Sequence, residues 1–284
     1  MAQRHVESGA VRVEVTDGRR GSVETGVHYR VAGQGPPVVL LHGIGLDSAR
    51  VSWRYTLPAL AEEFRVYAPD FPGHGDSGQP RVRYTHEFFL DVLESFLGSL
   101  DLEGAPLVGA SMGGGVALGY ALEHGVDRLV LADSYGLGRD APWRPAAGAF
   151  LRVPGAATGW WRTIGASRAS VREHLRTLTG SGPSDEHVTD VYEAVQEAGG
   201  RAMAGWQRSE FRCGGLRTCY LDRLSGLSTP ALFVHGDEDP LLPASWSERA
   251  ASRTGGSLAL FEGCGHWPSR EAPERFNRTV RSFL

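Results

Sequence analysis

Pro106-Leu107-Val108-Gly109-Ala110-Ser111-Met112-Gly113-Gly114-Gly115-Val116-Ala117-Leu118 runs from an apolar, strand-like triplet through a serine flanked by glycines into a helix-forming stretch that continues to Leu122. A serine on so sharp a strand-to-helix turn takes strained backbone angles and lifts its hydroxyl above the end of a sheet. The residues two before and two after it must then be almost free of side chain, and Gly109 and Gly113 meet that condition. Ser111 is therefore the candidate nucleophile. A serine hydroxyl is a weak nucleophile at neutral pH, so it needs a base, and the base needs an acid to orient it.

Both partners are expected further along the chain, each after its own strand. Ala231-Leu232-Phe233-Val234 reads as a buried strand ending in His235-Gly236-Asp237-Glu238-Asp239-Pro240, where open α/β sheets place their sites, and Asp239 is the candidate acid. Leu258-Ala259-Leu260-Phe261 reads as another strand, followed by the loop Glu262-Gly263-Cys264-Gly265-His266-Trp267-Pro268, and His266 is the candidate base. An oxyanion formed at Ser111 needs fixed N–H donors. Met112, the residue after the nucleophile, supplies one, and the loop His42-Gly43-Ile44-Gly45 after Val38-Val39-Leu40-Leu41 supplies the other, through Ile44 or alternatively Gly45.

Elsewhere, Val11 to Val15 and Val23 to Val31 read as opening antiparallel strands around a turn at Asp17-Gly18. Short buried-type runs follow at 38–41, 66–68, 107–108, 129–131, 232–234 and 258–261. Helical patterns lie between them at 53–63, 86–100, 112–123 and 245–252, with a last one from Pro273. This alternation is the signature of a mostly parallel, twisted sheet flanked by helices, an α/β fold. It breaks between about Gly136 and Gly226, which divides the chain into a core of residues 1–135 and 226–284 and a mainly helical insertion, 136–225.

On five separated blocks the chain resembles the α/β-hydrolase family of the serine-nucleophile, capped kind. These are His42-Gly43, Asp70-Phe71-Pro72-Gly73-His74-Gly75-Asp76-Ser77, the elbow at Ser111, His235 to Asp239 with Pro243, and Gly265-His266 with Glu271 and Pro273. The resemblance implies that the insertion caps the nucleophile. It carries Trp143, Phe150, Trp160, Trp161, Tyr192 and Trp206, and a substrate pocket is expected from Gly45, Trp160, Trp206 and Trp267. Some relatives carry the acid after the strand at 129–131, which makes Asp133 a rival to Asp239; Asp237 is a weaker one. His42, His74 and His235 read as loop-fixing hydrogen bonders, and Cys264 as packing.

The resemblance implies acyl transfer to water at an ester, lactone or thioester of a small apolar substrate. Serine at the elbow argues against the relatives that open epoxides or displace halide, which use aspartate there. A carbon-carbon bond hydrolase of the meta-cleavage-product type is the alternative, since Cys264-Gly265-His266-Trp267 with Glu271 and Phe276-Asn277-Arg278 resembles that branch. Against it stand Ala110, where that branch has asparagine, the Ile44-Gly45-Leu46 loop, and Val191-Tyr192 where its cap arginine would align. A ligand-binding scaffold or receptor is the alternative of another class, because fold alone does not fix function.

Composition narrows the classes further. The net charge of −4 over 284 residues offers no footprint for nucleic acid. All 29 basic residues are arginine, so lysine Schiff-base chemistry is excluded. No cofactor is expected. No metal is expected either, because Asp70 and Asp76 frame a tight loop with no ligand set converging in the sequence. Cys213, Cys219 and Cys264 are too few and too irregular for a disulfide framework. No apolar run approaches the ~18 residues of a membrane span, no signal-peptide core precedes the first strand, and Arg19-Arg20 between two strands does not read as an export signal. A cytoplasmic enzyme with a small-molecule substrate is expected; oligomeric state is not legible.

Overall fold

The computed structural model describes residues 5–17, 21–141, 146, 149–151, 153, 155–198, 200–212 and 214–284. Trp143, Cys213, Arg19, Arg20 and the glycine of the Asp17-Gly18 turn lie outside them.

Eight strands form one sheet in the order β1-β2-β4-β3-β5-β6-β9-β10. β1 (Glu7–Asp17) and β2 (Gly21–Ala32) form an antiparallel pair that continues antiparallel onto β4 (Arg65–Pro69). From β4 the sheet is parallel through β3 (Pro37–Leu41), β5 (Leu107–Ala110), β6 (Leu129–Ala132), β9 (Ala231–Gly236) and β10 (Ser257–Phe261). β7 (Phe211–Arg212) and β8 (Gly215–Leu216) make a separate small hairpin.

The apolar runs become strands because both faces of the central sheet are covered. All residues of β5, β6 and β9 are buried. Strand alternation sends Val39, Leu41, Leu107, Leu129, Leu131 and Phe233 into one core, with the helices His86–Ser99 and Met112–His124. The intervening Val38, Leu40, Val108, Val130, Leu232 and Val234 face the other, against Trp53, Leu57 and Leu60 and the last helix, Pro273–Phe283. β10 departs from the expectation of a buried strand. It is the sheet edge, and Leu258 and Leu260 stand 38% and 37% exposed.

The helix expected over 53–63 is instead two short pieces, Ala49–Ser52 and Thr56–Leu60. Pro58 inside the second piece has no N–H to give to the Arg54 carbonyl, so a continuous helix cannot run through it. Between β6 and β9 the chain forms helices Ala156–Ile164, Arg168–Arg176, Asp185–Ala198 and Arg201–Glu210, then the hairpin and a 3₁₀ turn at Leu221–Gly226. These helices share a third apolar core, which includes Trp161, Val171, Leu175, Val188 and Val191 together with Leu46 and Val51 from the first half and Trp267 from the histidine loop. Sheet order reverses between β4-β3 and β3-β5, so the loops after β3 and β5 open side by side under those helices.

Candidate active site

Ser111 stands at φ +51°, ψ −118° between β5 and the helix Met112–His124. The turn has no room for side chains at either glycine. A Cβ on Gly109 would lie 2.5 Å from the Gly113 carbonyl oxygen, and one on Gly113 would lie 2.3 Å from that of Leu41. Met112 heads its helix, so no carbonyl of that helix accepts its N–H.

The loop after β3 is tied down by a residue that no sequence motif marked. Asp47 is buried, and its carboxylate accepts from the N–H groups of Gly43 and Ser48, each at 2.8 Å, and from the Ser52 hydroxyl. The Gly43 N–H is thereby engaged with Asp47, and Ile44, the next residue of the loop, lines the same cavity as Ser111. His42 fixes the same loop as expected: its Nδ1–H donates to the Gly43 carbonyl at 2.7 Å and its Nε2 accepts from the Phe71 N–H at 2.9 Å. His74 does not act that way. Among the described residues neither ring nitrogen makes a well-aligned hydrogen bond, although the Phe71 and Pro72 backbone lies beside the ring; burial lowers its pKa to about 3, and it packs against the rings of His42 and Phe89.

His266 and Asp239 come together as the order of strands predicted. Nδ1–H of His266 donates to Asp239 Oδ2 at 2.7 Å, while Oδ1 of the same carboxylate accepts from the Leu241 and Leu242 N–H groups at 2.7 and 3.2 Å. Burial opposes charge on both groups. Their mutual attraction outweighs it, so the Asp239 carboxyl is held well below the usual range and the His266 pKa is raised. The loop carrying His266 is stapled by Glu271, whose carboxylate accepts from the N–H groups of Gly265, Trp267 and, in the insertion, Gly180. The His266 N–H donates to the Leu178 carbonyl at 2.8 Å.

Neither rival acid is hydrogen-bonded to His266 among the described residues, although Asp133 lies close to Asp239. Asp133 is fully buried, at φ +43°, and its Oδ1 accepts from the Gly236 N–H at 2.9 Å. Its nearest cation is His235, at 3.7 Å, and burial raises its pKa. Asp237 turns away to accept from the Gly263 N–H at 2.8 Å. His235 fixes the acid loop as expected, donating from Nε2 to the Leu242 carbonyl at 2.9 Å, with Nδ1 2.7 Å from Ser247 Oγ. The structure gathers Asp133, His235 and Asp239, and separately His28, Asp70 and Asp76, into clusters that sequence spacing did not suggest. Cys264 is packed in the second core, and burial raises its thiol to about 11.

Ser111 and His266 open onto one cavity of about 410 Å³. Its walls include Ile44, Leu46, Asp47, Tyr135, Trp160, Trp161, Met203, Trp206, Leu241 and Trp267, and no arginine lines it among the described residues. Three of the four expected pocket residues, Trp160, Trp206 and Trp267, are there. Gly45 is not: at φ +107° it backs onto Met203, whose methyl would lie 3.0 Å from a Cβ, and its neighbours Ile44 and Leu46 face the cavity instead. Phe150 and Tyr192 also lie outside the lining. His174 and Gln207 line it, and neither was singled out from the sequence, because polar residues on amphipathic helices ordinarily mark the solvent face.

A serine on a strained elbow beneath a pocket, in a parallel sheet reversed at β3, defines an α/β-hydrolase. The chain belongs to the alpha/beta hydrolase family, whose model matches residues 38–279, and it is a hydrolase. It is 32% identical to an uncharacterised protein of Mycobacterium tuberculosis over 90% of this chain and 77% of that one. It is 30% identical to the 2-hydroxy-6-oxo-6-(2'-aminophenyl)hexa-2,4-dienoic acid hydrolase of Metapseudomonas resinovorans, over 93% of this chain and 88% of that one. A thermophilic esterase from Thermogutta terrifontis superposes with a TM-score of 0.74 at 27% identity, covering 96% of this chain and 98% of its own.

Proposed function

We propose that the protein is a serine hydrolase that cleaves an ester-type bond of a small, uncharged, largely apolar molecule. Ser111 attacks the acyl carbon as His266 takes its proton, and Asp239 holds the imidazole by its Nδ1–H. The N–H groups of Met112 and Ile44 receive the oxyanion. As the tetrahedral adduct collapses, His266 returns the proton to the leaving alcohol, and an acyl ester on Ser111 remains. Water, deprotonated by the same imidazole, releases the acid. Residues 136–225 act as the cap that closes the site from above.

The observation that carries this reading is the His266–Asp239 hydrogen bond of 2.7 Å on a cavity shared with Ser111. The uncharged substrate is read from the lining. Among the described residues the lining holds one carboxylate, Asp47, and no arginine, and its histidine of raised pKa, His266, is already paired with Asp239. The carbon-carbon bond hydrolase is the second reading, supported by the dienoic acid hydrolase at 30% identity. A dienoic acid is an anion at neutral pH, and among the described residues no arginine lines the cavity to offset its desolvation.

The test pairs a fluorophosphonate probe, mapped by mass spectrometry, with turnover of p-nitrophenyl esters and of a 2-hydroxy-6-oxo-dienoate. Labelling at Ser111 with ester turnover is expected. Labelling elsewhere would sink the triad, and a dienoate turned over faster than every ester would install the second reading.

A further inference from the structure

The roof of the cavity is not uniformly apolar. Two polar side chains enter it, His174 from the helix Arg168–Arg176 and Gln207 from the helix Arg201–Glu210. They flank one indole. The Trp161 Nε1–H donates to Gln207 Oε1 at 3.0 Å, and the His174 ring meets the Trp161 ring edge-on with centroids 5.7 Å apart. That bond uses the Gln207 carbonyl oxygen and fixes which way the amide points, leaving its NH₂ with no acceptor among the described residues. The His174 ring nitrogens likewise have no partner there. Burial lowers its pKa to about 4, so the ring is neutral at pH 7 and offers one N–H donor and one bare nitrogen acceptor.

Polar groups lining an otherwise apolar cavity are costly unless something satisfies them, and a group that pairs with them is selected over one that does not. Beside the buried Trp206 Nε1–H, which is unpaired among the described residues and can only donate, the roof offers an amide donor from Gln207 and an imidazole acceptor from His174. A hydroxyl matches both at once, accepting from the first and donating to the second. A bare hydrocarbon matches neither. A carboxylate gains the donors but brings an uncompensated charge into a cavity that already holds Asp47.

We propose that His174 and Gln207 form a hydroxyl-recognising subsite in the roof, so that the substrate is a neutral ester carrying an alcohol or phenol remote from the bond that is cleaved. The site is the one assigned to the serine hydrolase above, and the subsite rests on that reading. Because the subsite is a matter of binding, it can be tested without turnover.

The experiment uses the full chain carrying Ser111→Ala and titrates it with three probes, following quenching of the cavity tryptophans. These are methyl 3-phenylpropanoate, methyl 3-(4-hydroxyphenyl)propanoate and methyl 3-(4-carboxyphenyl)propanoate. The phenol is expected to bind about tenfold tighter than the plain ring, and the carboxylate weakest. That tenfold ratio should fall to about one when His174→Phe or Gln207→Leu is added. His174→Phe keeps the ring contact with Trp161, so a change in the ratio there reports the lost nitrogens and not lost packing. Equal Kd values for phenol and plain ring, a ratio that survives both variants, or no binding of any probe overturns the subsite. Ester turnover by the unaltered protein reports separately on the hydrolase reading, so the two can fail independently.

Discussion

The floor and the roof of the cavity are held in place by different forces. Below, Ser111 and the loop after β3 sit on strands buried on both faces, and their spacing is set by contacts that would not admit a single Cβ at Gly109 or Gly113. Above, the helix Asp185–Ala198 has Val188, Val191 and Ala194 in the third core, but it also carries Glu186, Asp190, Glu193 and Glu197 at helical spacing along one stripe. That stripe meets arginines of the first half and of the histidine loop. Arg50 pairs with Glu193 at 2.6 Å, Arg54 with Asp190 at 3.0 Å and with Glu186, and Arg270 with Asp190 at 2.9 Å. Close packing gives the floor one geometry, whereas charge pairing lets the seat of the roof respond to its medium.

The largest effects should come from the floor. Ser111→Ala and His266→Ala are each expected to lower ester turnover by about 10⁴-fold or more, with thermal midpoints close to the parent by circular dichroism. An active Ser111→Ala protein would place the chemistry outside the elbow.

Next comes the ranking of the two buried acids. Asp239→Asn should cost about 10⁴-fold in turnover by leaving His266 in the wrong tautomer, and Asp133→Asn far less. The pH profile adds a sign. His266 must be neutral to act as base, and its pKa is raised with Asp239 as the main opposing force to burial, so activity should fall on the acid side through a pKa above 6.5. In Asp239→Asn that limb should move to lower pH; an unmoved limb would mean that another group sets it.

In the seat of the roof, burial should separate one pair from another. The Arg270 side chain is 1% exposed against 5% for Asp190, and it also donates to the Val51 carbonyl, so Arg270→Met should lower unfolding stability by about 3 kcal/mol in urea. Arg50 and Glu193 are 31% and 43% exposed, and Arg50→Met should cost no more than about 1 kcal/mol, shrinking further in high salt. Equal losses would erase the distinction.

The smallest effect tests strain at the elbow. At φ +51° glycine is at ease and alanine is not, so Ser111→Gly should be more stable than Ser111→Ala by about 1 kcal/mol, less the entropy that glycine restores to the unfolded chain.

The same contrast explains what could be read in advance. β3, β5, β6 and β9 were legible because short Val/Leu-rich runs bounded by glycines leave few alternatives in a doubly covered sheet, and the order serine, acid, histidine followed from them. The roof was not. Trp161 lines the cavity while Phe150 and Tyr192 do not, and no periodicity separates them, because these helices bury one face in their own core and another over the site. Asp47 escaped notice because its role is to receive N–H groups from its own loop, which leaves no spacing to recognise. The exposure of Leu258 and Leu260 depends on β10 being last in the sheet, a fact of topology that the local pattern does not carry.

The arginine seat has one more consequence under the acyl-ester mechanism proposed for Ser111. Reactive acyl groups released near a protein surface are scavenged by ε-amines, which they convert to neutral amides. With all 29 basic side chains arginine, this chain has no such amine to lose. The cations under the acidic stripe keep their charge whatever acyl donor enters the cavity, and at any alkaline pH the fold survives. Self-acylation, a slow route by which an acyl-transferring enzyme erodes its own ion pairs, has no side-chain amine here on which to begin.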